Sequence, residues 1–91
     1  MFDPKEVIQA LLYFSLERHS KLVQELNRVA QQRQWLAEIR HVACRTRPHR
    51  IIYRYLNSIA IHQFVETIQE LNHTEYFITT LQLVLSSETD N

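Results

Sequence analysis

Apolar side chains recur along the first half of the chain at intervals built from three and four residues: Ile8, Leu12, Leu22, Leu26, Val29, Leu36 and Ile39. That is the period of an α-helix with one buried stripe. No Pro or Gly interrupts the chain between Pro4 and Pro48. The start carries its own signal, with Asp3 as N-cap, Pro4 in the first helical position and Glu6 completing a capping box, while Phe2 and Val7 sit where a hydrophobic staple would place them. The pattern predicts helix one over residues 3–43, roughly 60 Å of continuous helix. A break in the polar stretch Gln31-Gln32-Arg33-Gln34, folding the chain back into a four-helix monomer, is the alternative.

Pro48 disfavours helical geometry at Arg47 and is suited to opening the next helix. A second helix is predicted over residues 48–71, its stripe formed by Tyr53, Leu56, Ala60, Phe64, Ile68 and Leu71, with Ile52, Ile59, Ile61 and Val65 widening it on both flanks. Asn72-His73-Thr74-Glu75 repeats the capping device, with Leu71 and Tyr76 as the staple pair, and predicts a third helix over residues 73–85 followed by a polar tail, 86–91. Because Phe77, Thr79, Leu81, Leu83 and Leu85 alternate, this last segment also fits a strand, although no partner strand is evident. The expected fold is all-α: a long N-terminal helix followed by two shorter antiparallel helices, a hairpin or three-helix bundle that dimerisation could complete, in a single domain of residues 1–91.

Composition narrows this further. The 91 residues are 45% hydrophobic and 22% charged, with no Gly and two Pro. Two-residue hairpin turns, which favour Asn-Gly, Asp-Gly or Gly-X, have no candidates here. Cys44 is the only cysteine, so an intramolecular disulfide framework is excluded and a reducing, cytoplasmic setting is expected. The N-terminus lacks the features of a signal peptide, and no apolar run approaches the roughly 18 residues needed to cross a membrane.

The predicted lengths imply an uncovered surface. An antiparallel second helix of about two dozen residues beginning near Pro48 reaches only the C-terminal half of helix one. Val7, Ile8, Leu11, Leu12, Phe14 and Leu16 would then be exposed almost all round the helix, and they are predicted to form a partner or dimer interface. A second copy is the favoured occupant and a different protein, docked helix-in-groove, the other.

Charge is segregated although the total is zero. Residues 39–54 hold Arg40, Arg45, Arg47, Arg50 and Arg54 and no acid, whereas residues 55–91 hold five acids and no Lys or Arg. Arg40 and Arg45 complement the end of helix one, but Arg47, Arg50 and Arg54 sit where positive charge opposes a helix dipole. The cluster is the predicted site for an anionic partner; pairing with carboxylates inside the protein or across a dimer competes with nucleic acid.

Other chemistry is thin. His41, Cys44 and His49 offer too few ligands for a closed zinc site, and Cys44 with His41 lacks both an orienting third group and an oxyanion site. No P-loop, dinucleotide fingerprint or H-E-x-x-H is present. Neither a cofactor nor a metal is expected, and no catalytic residue is assigned. Trp35 reads as a core-closing side chain, with an interface anchor as the alternative. The sequence therefore points to a helical interaction module, a regulator, adaptor or chaperone-like subunit, with a small nucleic-acid-binding protein as the runner-up.

Overall fold

The computed structural model describes residues 3–89 and consists of two helices, α1 (Pro4–Ala43) and α2 (Arg47–Thr89), forming a long helical hairpin. Helix α1 begins as its sequence predicts: the Lys5 amide donates to Asp3 Oδ1 at 3.1 Å, and the Val7 amide to the Asp3 carbonyl at 3.1 Å. The proposed staple residue Phe2 lies outside the described residues. No break occurs at Gln31–Gln34, where the helix runs through.

Helix α2 begins one residue earlier than the proline suggests. Thr46 is its cap: the His49 amide donates to Thr46 Oγ1 at 3.4 Å and the Arg50 amide to the Thr46 carbonyl at 3.0 Å. Pro48 lies in the first turn, where a missing N–H costs nothing.

The expected third helix is not a separate element. Residues 73–85, and 86–89 of the expected tail, belong to one 43-residue helix. A capping signature works only if its side chain is turned to free N–H groups. Here Glu75, the box residue that would turn back to the cap, instead meets His19 across the helices at 3.1 Å, and the Thr74 hydroxyl donates to the Glu70 carbonyl at 2.8 Å, within the helix. Thr67, Thr79 and Thr80 make the same backward bond, to Gln63, Glu75 and Tyr76, at 2.7, 3.0 and 2.9 Å. These bonds let β-branched residues sit in a helix, so the strand-like alternation at 77–85 does not become a strand. Stopping near residue 72 would also leave backbone donors and acceptors without helical partners, and no Pro or Gly forces the stop.

The buried positions reveal a stricter order than the apolar ones. On α1 the buried or half-buried residues include 8, 12, 15, 19, 22, 26, 29, 33, 36 and 43; on α2 they include 53, 57, 60, 64, 67, 71, 74, 78, 81 and 85. The α2 series steps by four and three in alternation, and the α1 series does so from 8 to 36 before one step of seven to 43, the seven-residue repeat of helices packed knobs-into-holes.

The chain resolves into two compact units, one of residues 24–68 and one of residues 1–23 with 69–91. In the first, Leu36, Tyr53 and Ala60 form the core, with Ile39, Ala43 and Cys44 packed against it, and Val29 is fully buried. The Tyr53 hydroxyl donates to the Leu36 carbonyl at 2.8 Å in a buried bond between the helices. Arg33 occupies a seam position by laying its guanidinium over the Phe64 ring, 4.6 Å from the centroid. In the second unit, Ser15, Leu22, Thr74, Ile78 and Leu81 are buried, and two cross-helix pairs flank them: Arg18 with Glu70 and His19 with Glu75, each at 3.1 Å.

This second unit corrects the expectation of an uncovered N-terminal half. Because α2 is 43 residues long, its C-terminal part packs beside residues 3–23.

Candidate interaction surfaces

Seven hydrophobic residues are buried, whereas eighteen large ones are exposed among the described residues. For a chain whose composition is ample for a core, that ratio is inverted. The total accessible area is 7337 Å². A compact folded monomer of 11.0 kDa exposes ~5,600 Å². The excess of about 1,700 Å² is surface that the chain does not cover by itself.

In the 24–68 unit this surface is organised. Two adjoining clefts, of about 310 and 250 Å³, share Trp35, Leu36 and Leu56 and form one groove between α1 and α2. Its walls are Arg28, Gln32, Trp35, Ile39 and Val42 on α1, and His49, Ile52, Leu56, Ile59 and Gln63 on α2. Those positions again alternate by three and four, so each helix carries a second stripe beside the seam it already uses, apolar at Trp35, Ile39, Val42, Ile52, Leu56 and Ile59 and polar at Arg28, Gln32, His49 and Gln63. A helix with two adjacent stripes has the pattern of a bundle of more than two helices. Trp35, expected to close the core, is 57% exposed on this groove, and Ile52 is 56% exposed.

The predicted interface residues of the N-terminal segment separate. Val7, Leu11 and Phe14, with Ala10 and Glu6, line an apolar cleft of about 380 Å³, and Phe14 is 63% exposed. Tyr13 packs edge-on against Phe14, with ring centroids 5.8 Å apart. Ile8 and Leu12 are half-buried on the seam, facing the chain's own second helix. Leu16 lies in a different cleft, with His19, Glu75, Ile78 and Thr79.

Of the five clustered arginines, the structure brings three together. Arg40, Arg50 and Arg54 line a polar cleft of about 310 Å³ with Cys44, Tyr53 and Asn57; Arg45 and Arg47 stand outside it. No carboxylate lines this cleft, and none of the five makes an ion pair among the described residues. Arg50 and Arg54 are like charges one turn apart at the positive end of α2, an arrangement that opposes folding slightly. The pairing of these arginines with carboxylates inside the chain is therefore not what the described residues show.

The ion pairs that do form lie elsewhere: Arg18–Glu70, Lys21–Glu17 and Arg28–Glu25. Arg28 meets Glu25 with two hydrogen bonds, one from Nε at 3.0 Å. These bonds hold the Glu25 carboxyl below its ordinary value of 4.5 and raise the Arg28 guanidinium above its usual range.

His49 Nδ1 lies 2.8 Å from Thr46 Oγ1, at the cap of α2. Among the described residues, no group of three or more His, Cys, Asp and Glu is placed to hold a metal ion, and no helix is long and apolar enough to cross a membrane. No protein-family model, curated protein or solved structure matches the chain.

Sequence reasoning missed the groove although six of its ten wall residues are apolar. The sequence pattern puts Leu56 in the buried stripe of helix two and Ile52 and Ile59 on its flanks, because a stripe of that width on one helix does not show which half faces the neighbour. Spacing against Thr67 and Thr74, polar residues on the true seam, was the available signal.

Proposed function

We propose that the protein is a helical protein–protein interaction module that acts by presenting surface, as a regulator, adaptor or chaperone-like subunit, and that it does no chemistry of its own. The observation that supports this reading best is the open groove of the 24–68 unit, with Trp35 and Ile52 more than half exposed at its walls. Apolar surface in a contiguous, rigid groove is what a protein interface supplies, and an exposed Trp is a frequent anchor of such interfaces. The test uses the parent and an Ile52→Gln, Ile59→Gln variant, each measured by sedimentation velocity and each immobilised against extract of its own cell. The variant should lose assembly mass, bound protein or both; a variant that matches the parent in both measurements overturns the reading.

A second reading is supported by the Arg40, Arg50 and Arg54 cleft, which gathers three guanidinium groups without a lining carboxylate. Such a cleft suits phosphates, so the runner-up is nucleic-acid binding. A gel-shift titration at two salt concentrations tests it, with Arg50→Glu, Arg54→Glu as the control. Binding should fall steeply with salt and vanish in the variant; no shift at low salt removes the reading.

A further inference from the structure

We infer that the cleft lined by Arg40, Arg50 and Arg54 is a binding site for a terminal phosphate or pyrophosphate group, an anion that concentrates two or more charges at one end. The inference rests on the second reading for the phosphate chemistry of this cleft and names the ligand class.

The site is built from both arms of the hairpin within the 24–68 unit. Arg40 lies in the last turn of α1, and the Cys44 amide donates to its carbonyl at 3.0 Å, which sets Cys44 one turn beyond it. Arg50, Arg54 and Asn57 follow at one-turn spacing along the start of α2. Together with Tyr53 they line a cleft of about 310 Å³. The Tyr53 hydroxyl already donates to the Leu36 carbonyl. The donors left to a ligand are therefore the three guanidinium groups and the Asn57 amide.

Holding these cations together without an acid costs stability, because Arg50 and Arg54 repel each other and both oppose the dipole of α2. An anion in the cleft reverses both effects, and the positive end of the helix adds to its attraction. The number of charges selects the anion. A phosphodiester carries one charge per phosphate, whereas a phosphate monoester carries about two near pH 7. Three planar guanidinium forks in one cleft match an anion with several unesterified oxygens. A polymer backbone is instead tracked by cations spread along a groove. No carboxylate lines the cleft to hold a divalent cation, so the anion is met directly and needs no metal.

The test titrates sodium pyrophosphate into the full chain by calorimetry, at low salt with EDTA present. The parent is compared with Arg50→Gln, Arg54→Gln and with Arg45→Gln, Arg47→Gln, which removes the same charge outside the cleft; circular dichroism checks that each is helical. One pyrophosphate should bind per chain, about tenfold or more weaker in the first variant and within about threefold of the parent in the second. Cys44 is the only cysteine and lines the cleft, so pyrophosphate should also slow its alkylation by iodoacetamide in the parent. No binding, equal weakening in both variants, or binding without protection of Cys44 overturns the inference, and the gel shift then decides the nucleic-acid reading separately. Competition with one oligonucleotide bearing either a 5′-phosphate or a 5′-hydroxyl end separates the sources. Displacement by the phosphorylated strand alone supports the site and makes a nucleic-acid end its source. Displacement by neither supports a small free anion and counts against the nucleic-acid reading. Equal displacement by both overturns the inference and leaves the nucleic-acid reading standing.

Discussion

At the scale of single residues, the structure depends on a few well-placed groups. Val29 is the one hydrophobic side chain buried completely among the described residues, so Val29→Ala should cost about 2 kcal/mol, the transfer of two methyl groups plus the cavity left behind. Urea denaturation at one fixed protein concentration checks it. Tyr53→Phe removes the buried hydrogen bond to the Leu36 carbonyl while keeping the ring, and should cost about 1 kcal/mol by the same measurement. The Glu25–Arg28 pair is exposed and adds no useful stability, but its sign is definite. A depressed carboxyl contributes above its unfolded pKa and loses that contribution as pH falls through its folded one; the raised guanidinium contributes below its unfolded pKa and loses that contribution only in strong alkali. Arg28→Ala should let the Glu25 carboxyl rise back towards 4.5, as read by an NMR titration.

At the scale of elements, the continuity of α2 matters most. His73 occupies the interior of a 43-residue helix, with its side chain exposed. His73→Pro should therefore cost about 3 kcal/mol or more, by deleting a helical hydrogen bond and crowding the carbonyl four residues back. At the first position of a separate helix the same proline would be accepted. Unchanged thermal stability by circular dichroism would show that α2 divides there. The seam itself is unusually polar, with Ser15, His19, Arg33, Asn57, Thr67 and Thr74 among its positions. Ser15 bonds to the Leu11 carbonyl at 2.8 Å, and Thr67 and Thr74 bond within their helix, so burial leaves no side-chain polar atom without a partner among the described residues. Polar residues satisfied in this way add little to packing, and a hairpin held by such a seam has reason to use further apolar faces.

At the scale of the whole molecule, eighteen large hydrophobics are exposed and seven hydrophobics buried among the described residues, and on the proposed reading association stabilises the chain. Anything that binds only the folded form raises the melting temperature with its own concentration. The melting temperature should accordingly climb as the protein is concentrated over a hundredfold range in calorimetry at low salt. A flat response would show that the hairpin is stabilised within one chain. The net charge of zero hides opposed charges on the two units, +4 on residues 24–68 and −4 on residues 1–23 with 69–91.

The helical class, the start of α1, its run past Gln31–Gln34 and the turn before Pro48 follow from local chemistry: helical spacing, an Asp-Pro cap, and the absence of Gly and Pro elsewhere. Local signals are readable because they act between neighbours along the chain. The end of α2 was not readable in this way, since Asn72-His73-Thr74-Glu75 serves equally as a cap or as a helix interior. The choice depends on whether residues 74, 78 and 81 have something to bury against. Nor could the sequence tell seam from surface, because satisfied Thr and Ser can occupy a seam while Ile, Leu and Trp stand outside it. Burial is a relation between two helices, and only their packing decided that Thr74 is inside and Trp35 is out.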